Sequence, residues 1–279
     1  MDSLAILAII AAALLHALWN FILKDAGDKV VCTLIIYLTS LPFAVAGMSI
    51  VGLPSMDAVP IIVLSALLQT GYCVALFKGY QVGDLSSVYP IARGSAPIFV
   101  FGFTLLFFET NYELKTFLGI FVFCAGLLTY SFSTIRNAGS EPNDVAYALV
   151  IGLFIAGYSI TDAIGTRAVG NALSFFGAMA IFNRLLLIGY LWSFEHDMIR
   201  RMREEYHNKF VLAGLLAFCC YAVILWSYTV LPIAVVTTLR ESSVLFAVLL
   251  GVLVLGESLN KFRISMLVCV ASGLFLLLT

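Results

Sequence analysis

The sequence predicts an all-α integral membrane protein, with about ten transmembrane helices arranged as two five-helix inverted repeats. Three observations predict this fold class. First, 62% of the 279 residues are hydrophobic and only 11% are charged, so the chain has too few polar side chains to cover a water-soluble domain. Second, apolar runs of about 20 residues, which suffice for a helix to cross the bilayer core, recur along the chain. Third, a segment of the first half has an echo in the second half, which indicates an internal duplication.

The predicted spans are apolar runs that end at charged residues or at glycine and proline. They cover residues 4–23, 30–51, 58–77, 86–108, 117–134, 145–164, 174–194, 210–230, 234–255 and 262–279. None of these runs shows the polar and apolar alternation, in segments of about ten residues, that is typical of membrane β-barrels. The six cysteines lie within the runs, and we interpret them as small buried hydrophobic residues.

A polar segment at residues 136–144 divides the chain almost at its midpoint. We therefore predict a first five-helix repeat over residues 1–135, a linker over 136–144, and a second five-helix repeat over 145–279. Because each repeat crosses the membrane an odd number of times, the second repeat enters the membrane upside down relative to the first.

The internal echo pairs residues 80–109 with residues 228–257. A shift of about 148 residues aligns the tyrosine that begins each segment and the glutamate that ends it, and it aligns Arg93 with Arg240 to within one residue. Each copy therefore carries an arginine inside an apolar span. An arginine at the centre of such a helix costs roughly 2.5 to 3.5 kcal/mol to insert, so these positions are the first candidates for function.

Lysine and arginine are unequally distributed between the predicted loops. The side of the odd-numbered loops carries Lys24, Lys29, Lys78, Arg136, Arg200, Arg201, Arg203, Lys209, Lys261 and Arg263. The opposite side carries Lys115 and Arg167. Because positively charged loops face the cytoplasm, this distribution predicts that both termini lie outside.

Short motifs at the ends of two spans carry a resemblance to a known family. An apolar run closes in Phe108-Glu109 and another in Gly256-Glu257, and each is followed by a short polar link and a further span. The small residues of those further spans are Gly119 and Gly126 in the first half and Ser265 and Gly273 in the second. With these motifs, the chain resembles EamA-type members of the drug/metabolite transporter superfamily over nearly its whole length. The segments YPIARGSAP and TTLRESSVLFA resemble a subgroup that includes membrane proteins associated with phosphonate utilisation more than they resemble the aromatic-amino-acid exporters.

The resemblance implies a basket of ten helices around a central cavity. The first four helices of each repeat would line the cavity, and the fifth would brace the outside. Substrate would be carried by alternating access. Family members often have both termini in the cytoplasm, which is contrary to the distribution of loop charges.

Three arginines inside the predicted spans are the main candidates for substrate binding. Arg93 and Arg240 lie roughly 10 Å into their helices, at about 1.5 Å per residue, and from that depth an arginine reaches either a cavity or the nearer interface. Arg184 lies near the middle of its span, so it needs a buried partner, namely Glu241, Asp162 or the substrate. Because a guanidinium group binds carboxylates and phosphates through paired hydrogen bonds, these arginines predict an anion site. The alternative is a structural role in ion pairs.

Other polar residues complete the predicted binding set. Glu241 is either a protonatable coupling group or a fixed counter-ion of an arginine. Asp162 aligns with Asn20 in a fainter echo between the first spans of the two halves. The remaining candidates, for which packing or hydrogen-bonding roles are the alternative, are His16, Trp19, Asn20, Tyr89 and Asn183. Pro90 and Pro97 remove backbone donors and predict a loosened fourth helix.

These residues predict a secondary transporter that moves a small organic anion or a zwitterionic metabolite, such as a phosphonate or an amino-acid-like compound. Its predicted partners are this metabolite, membrane lipid, and protons or a counter-substrate, with no nucleic acid and no cofactor or metal. The predicted location is a bacterial-type inner (plasma) membrane. One alternative is an exporter of lipophilic cations. A second, from a different class, is an intramembrane enzyme acting on lipid-linked substrates, but no nucleophile stands with a base and an orienting acid, so an enzyme is not predicted.

Overall fold

The protein is a bundle of α-helices, and the computed structural model describes residues 3–24, 26–82, 85–108, 112–138, 142–194, 197–256 and 258–278. Within these residues the structure contains no β-strand. The helices are α1 (Ser3–Lys24), α2 (Lys29–Val51), α3 (Val59–Val82), α4 (Leu85–Phe107), α5 (Leu114–Ala138), α6 (Pro142–Val169), α7 (Ala172–Phe194), α8 (Met198–Glu205), α9 (Lys209–Val230), α10 (Ile233–Arg240), α11 (Ser243–Leu255) and α12 (Lys261–Leu278).

The described residues contain nine helical segments that are long and apolar enough to cross a membrane. One of them, Ile233–Val254, combines α10 and α11, and α4 adds a shorter apolar segment, Ile91–Phe107. These ten segments follow the ten predicted spans in order and position, so the all-α membrane fold is confirmed. The helix that was not predicted is α8, which is short and lies in the loop between the seventh and eighth spans.

The distribution of side chains is inverted relative to that of a water-soluble protein. Leu106 of α4 and Leu253 of α11 expose 78% and 79% of their surface, whereas Arg93, Arg184 and Arg240 are buried. Exposed leucines are compatible with a lipid environment, because lipid tails are as apolar as leucine. Charged groups in such a protein face its interior, where they find polar partners.

Equivalent helices of the two halves make equivalent packing contacts. α1 packs against α9 as α6 packs against α3, and α2 packs against α9 as α7 packs against α3. α4 packs against α6, and α10 and α11 pack against α1 in the equivalent way. Paired contacts of this kind are what two repeats related by a two-fold axis produce. The repeat boundaries at residues 135 and 145 stay a prediction.

The pairing of α5 with α12 depends on glycine. A Cβ atom on Gly273 of α12 would lie 2.6 Å from the backbone nitrogen of Phe123 and 2.7 Å from the carbonyl oxygen of Gly119, both on α5. Small residues of this kind let helix backbones approach closely in a membrane. The two fifth helices of the repeats are therefore joined to each other.

The ninth span is interrupted in its middle. The amide of Glu241 donates to the carbonyl oxygen of Thr238 and the amide of Ser242 donates to that of Leu239, each at 3.0 Å. These bonds connect residues three apart, so the chain makes a 3-10 turn between α10 and α11, and such turns inside helices often mark functional hinges. The sequence predicts a loosened helix in the first repeat instead, at the fourth span, which contains Pro90 and Pro97. α4 contains both prolines and yet runs as one helix, because helix neighbours can accommodate a proline in a membrane span.

Arg167 stabilises the end of α9. Its Nε atom donates to the carbonyl oxygen of Tyr228 at 2.7 Å, and its Nη2 atom donates to that of Leu231 at 3.0 Å. We expect Arg167→Gln to lower the free energy of unfolding by about 1 to 2 kcal/mol, because carbonyl groups at a helix end lose charged donors. Thermal unfolding in detergent measures this loss. Arg203→Gln on the exposed side of α8 is the matched control, and an equal loss in both variants would contradict the prediction.

Candidate functional site

The bundle encloses a central cavity of about 450 Å³ that reaches from buried arginines to the protein surface. Small-molecule sites commonly have volumes of roughly 300 to 1,000 Å³, so the cavity is large enough for a metabolite. Arg93, Arg184 and Arg240 all line it. Their exposed fractions are only 8%, 5% and 4%, so none of them extends along a lipid-facing surface towards an interface.

Arg93 and Arg240 meet at one carboxylate. The Nε atom of Arg93 lies 2.5 Å from Oε2 of Glu241, and the Nε atom of Arg240 lies 3.3 Å from Oε1 of the same residue. Arg93 also donates to Oγ of Ser243 at 3.2 Å. The two arginines that the internal echo pairs therefore come together in the centre of the protein, with Glu241 as their shared counter-ion.

The broken ninth span separates the directions of neighbouring charged side chains. Arg240 is the last residue of α10, and Glu241 is the first residue of the 3-10 turn. Arg240 lines the cavity, whereas Glu241 is 2% exposed and is absent from the lining. The guanidinium group of Arg240 also packs over the ring of Tyr158, with 5.7 Å between the Cζ atom and the ring centroid. Glu241 thus pairs with both arginines from a position outside the cavity lining, and Arg240 remains in contact with the cavity.

Arg184 has neutral partners. Its Nη1 atom donates to Oδ1 of Asn183 at 2.9 Å and its Nη2 atom to Oγ of Ser40 at 3.0 Å. Its Nε atom donates to the carbonyl oxygen of Tyr37 at 3.3 Å, and its Cζ atom lies 4.9 Å from the centroid of the Tyr37 ring. Of the three predicted partners of Arg184, Glu241 and Asp162 are therefore wrong, and the third, the substrate, stays a prediction. Among the described residues no carboxylate pairs with this buried guanidinium group.

Asp162 lies in a separate polar cluster beside the cavity. It is fully buried, and its carboxylate accepts hydrogen bonds from the hydroxyl groups of Ser65 and Tyr221 and, at 3.3 Å, from Nε2 of Gln69. Gln69 and Tyr221 line the cavity, but Asp162 does not. The residue is thus placed behind two cavity side chains and cannot contact a ligand directly in this arrangement.

The mouth of the cavity is positively charged. Lys24 at the end of α1, Lys29 at the start of α2 and Arg263 in α12 line its outer part. No aspartate or glutamate occurs among the described residues that line the cavity. Tyr130 of α5 also lines it and accepts a hydrogen bond from Nε of Arg263 at 3.4 Å. The fifth helices of the repeats therefore contribute to the mouth, which the family resemblance did not imply.

The other predicted site residues fall into three groups. The first group, His16, Trp19 and Asn20, lies on α1 and lines the cavity. The rings of His16 and Trp19 contact edge to face, with 5.1 Å between their centroids. Asn183 is buried behind Arg184, and its Nδ2 atom donates to Oγ1 of Thr70 at 2.9 Å. The predicted residue Tyr89 lies outside the residues whose side chains are described.

Several residues that contact the cavity arginines had no distinguishing signal in the sequence. Tyr37 and Ser40 are neutral residues three apart on α2, a spacing that places them on one face of a helix, yet nothing in that helix alone indicates that Arg184 lies opposite. Ser243 follows Glu241 by two residues and could have been found only from the bend of the ninth span. These three partners lie on other helices than the arginines that they bind, so they are visible only once those helices are packed.

Comparison with known families agrees with this architecture. Residues 144–279 match the EamA-like transporter family. The second half of the chain is therefore similar to an EamA-like transporter domain. The match supports the drug/metabolite transporter superfamily, and the boundaries of the two repeats stay a prediction. The similarity to a phosphonate-associated subgroup stays a prediction.

The fold of the chain is also found among solved structures. One crystal structure that is 13% identical to the chain aligns with a TM-score of 0.75 and covers 99% of this chain and 97% of the other. At this identity the likeness shows the fold alone. A comparison with curated proteins gives no match. The apolar helices and the match of residues 144–279 to a transporter family indicate an integral membrane protein, and an inner-membrane location is consistent with both.

Proposed function

We propose that this protein is a secondary transporter that carries a small organic anion, or a zwitterion with a strong anionic group, by alternating access. The observation that carries the proposal is Arg184, a buried guanidinium group at the cavity whose partners are all neutral. Charged side chains are almost never fully buried without a compensating charge. A bound anion supplies that charge and completes the hydrogen bonding of the guanidinium group.

The surroundings of Arg184 also favour an anion. Arg93 and Arg240 share the single charge of Glu241, so the centre of the cavity keeps a positive excess even when that carboxylate is ionised. Lys24, Lys29 and Arg263 extend the positive charge to the mouth. Clefts lined by one sign of charge concentrate ions of opposite sign and speed their entry.

The charged residues at the rim of the cavity all lie on one side of the bundle. Lys24 and Lys29 border the loop between α1 and α2, and Arg263 begins the last span, so the rim belongs to the odd-numbered loops. If the loop charges set the orientation, this side faces the cytoplasm. The proposed cycle then alternates between this inward-facing arrangement and one open to the opposite side, with the 3-10 turn between α10 and α11 as a candidate hinge.

Transport by purified protein in liposomes tests the proposal. The probes are labelled succinate, glutamate, methylphosphonate and 2-aminoethylphosphonate, with tetraphenylphosphonium as the lipophilic cation. We expect movement of at least one anionic or zwitterionic probe and no movement of the cation. Transport of tetraphenylphosphonium together with failure of all four other probes would favour cation export and overturn the substrate class proposed here.

Arg184→Gln tests the residue that carries the proposal. We expect the apparent affinity for the transported anion to fall by about 10- to 100-fold, because hydrogen bonds to charged groups contribute about 1.5 to 3 kcal/mol. Arg200→Gln is the matched control, since Arg200 pairs with Glu204 on α8 with 76% of its side chain exposed. An Arg184→Gln variant that transports like the Arg200→Gln variant would contradict an anion site at Arg184.

A further inference from the structure

Among the residues that the structure describes, the Asp162 cluster is the buried charged group that the arginine sites do not include. Its carboxylate accepts hydrogen bonds from Ser65 and Gln69 of α3 and from Tyr221 of α9, and no ion pair holds it among the described residues. Gln69 also donates to the hydroxyl oxygen of Tyr221 at 2.8 Å. A carboxylate held only by neutral donors in a membrane protein is not a structural ion pair, and such groups mark ion or proton pathways.

We propose that Asp162 binds the proton that is coupled to transport, with Tyr221 and Gln69 connecting it to the cavity. The inference rests on the proposed transport function and assigns to Asp162 the coupling role for which Glu241 was the sequence-based candidate. Glu241 is occupied by two arginines, and protonating it would leave both without their counter-ion. Protonating Asp162 breaks no ion pair.

The hydrogen-bond partners of Asp162 suit both of its protonation states. As a carboxylate, it accepts three hydrogen bonds from Ser65, Gln69 and Tyr221. On protonation, a hydronium ion in the cavity loses a proton, an O–H bond forms on the carboxyl group, and that group becomes a donor. The hydroxyl groups of Ser65 and Tyr221 can then rotate to accept, because a hydroxyl group both donates and accepts hydrogen bonds.

Tyr221 and Gln69 give the proton a route. Both side chains line the cavity, whereas Asp162 lies behind them and is fully buried. A proton therefore reaches Asp162 from cavity water through the Tyr221 hydroxyl group or after displacement of the Gln69 side chain. The cation-binding alternative has less support, since only one carboxylate belongs to the cluster and Gln69 turns its NH₂ group towards it.

The arginine cluster provides the link between the proton and the anion. The charged or titratable groups that act electrostatically on Asp162 come from neighbouring helices, and they are Arg240 of α10 and Tyr221 and Tyr228 of α9. The third neighbouring helix, α3, contributes the neutral Ser65 and Gln69. An anion bound at the arginines offsets the positive field of Arg240 at Asp162. The anion and the proton therefore favour each other's binding, and such coupling is reciprocal and typically amounts to about 5- to 150-fold.

Proton-driven accumulation in liposomes tests the inference with the same four anionic and zwitterionic probes. We expect a pH gradient of about one unit to drive accumulation of the transported probe up to about tenfold in the wild type, because one unit corresponds to 1.36 kcal/mol. In Asp162→Asn, accumulation above equilibrium should disappear, while exchange of labelled for unlabelled probe without a gradient should continue. Asp57→Asn, at an exposed position before α3, is the matched control and should keep both activities.

The outcomes separate the inference from the function on which it rests. If no probe moves in the wild type, both are overturned. If the wild type exchanges a probe but a pH gradient drives no accumulation, or if Asp162→Asn still accumulates it, only the proton role of Asp162 is overturned. Loss of both accumulation and exchange in an Asp162→Asn protein that remains monodisperse would assign Asp162 to binding or structure, and would also overturn the inference.

Discussion

Glu241→Gln should destabilise the protein by about 3 to 5 kcal/mol, because it leaves two buried guanidinium groups without their shared negative charge. Arg93 and Arg240 both contact this carboxylate, and Glu241 itself is 2% exposed. The glutamine keeps the size of the side chain, so packing changes little. The midpoint of thermal unfolding in detergent, measured at fixed protein and lipid concentration, reports the loss.

Glu204→Gln provides the matched control for this change. Glu204 pairs with Arg200 four residues away on α8, and both side chains are more than half exposed. Exposed pairs of this kind contribute little to stability, so the control should unfold at the temperature of the wild type. A double variant with Arg93→Gln and Glu241→Gln should recover part of the loss, since it removes one of the uncompensated charges. Unfolding of Glu241→Gln at the wild-type temperature would show that the carboxylate is not what stabilises the arginines.

Gly273→Leu should separate α5 from α12 and prevent stable folding of the pair. Even the first carbon of the new side chain would lie 2.6 Å from the backbone nitrogen of Phe123 and 2.7 Å from the carbonyl oxygen of Gly119. Backbone atoms cannot rotate away, so the two helices must move apart along their contact. Overpacking alone typically costs about 1 to 3 kcal/mol, and the loss of the helix contact adds to it. The yield of monodisperse protein and the unfolding temperature measure the effect.

A graded series distinguishes this steric effect from a loss of backbone flexibility. Gly273→Ala should already lower the unfolding temperature, because its Cβ atom meets the same backbone atoms of α5. Gly189→Ala on α7 is the control, since a Cβ atom there meets no other atom within 4 Å. Alanine favours a helix over glycine by about 0.5 to 1 kcal/mol, so the control should be neutral or stabilising. A stabilised Gly273→Ala variant would contradict the close approach of the two helices.

The membrane spans and the candidate arginines could be predicted because they depend on properties that lie along the chain. A helix needs about 20 apolar residues to cross the bilayer, so composition alone located the ten spans. The recurrence of an arginine at Arg93 and Arg240 pointed to a shared centre, and the two guanidinium groups do meet at Glu241. That these residues bind substrate remains a proposal.

Most partners of the buried charges could not be predicted, because they lie on other helices than the charge that they bind. The sequence offered Glu241, Asp162 or the substrate as the partner of Arg184, but the structure gives that arginine its neighbour Asn183 and, from α2, Ser40. Asp162 instead accepts from Tyr221. The periodicity of a single helix defines which residues share a face, but it does not say which face of another helix lies opposite.

By itself, the sequence determined that this chain crosses a membrane many times, that its halves echo one another, and that three arginines lie within apolar spans. Only the tertiary structure decided which of these arginines share a carboxylate and which one is left with neutral partners at the cavity. The physical reason is that insertion into a bilayer depends on the summed apolar character of a segment. The partner of a buried charge depends on ångström-scale distances that exist only after the helices have packed.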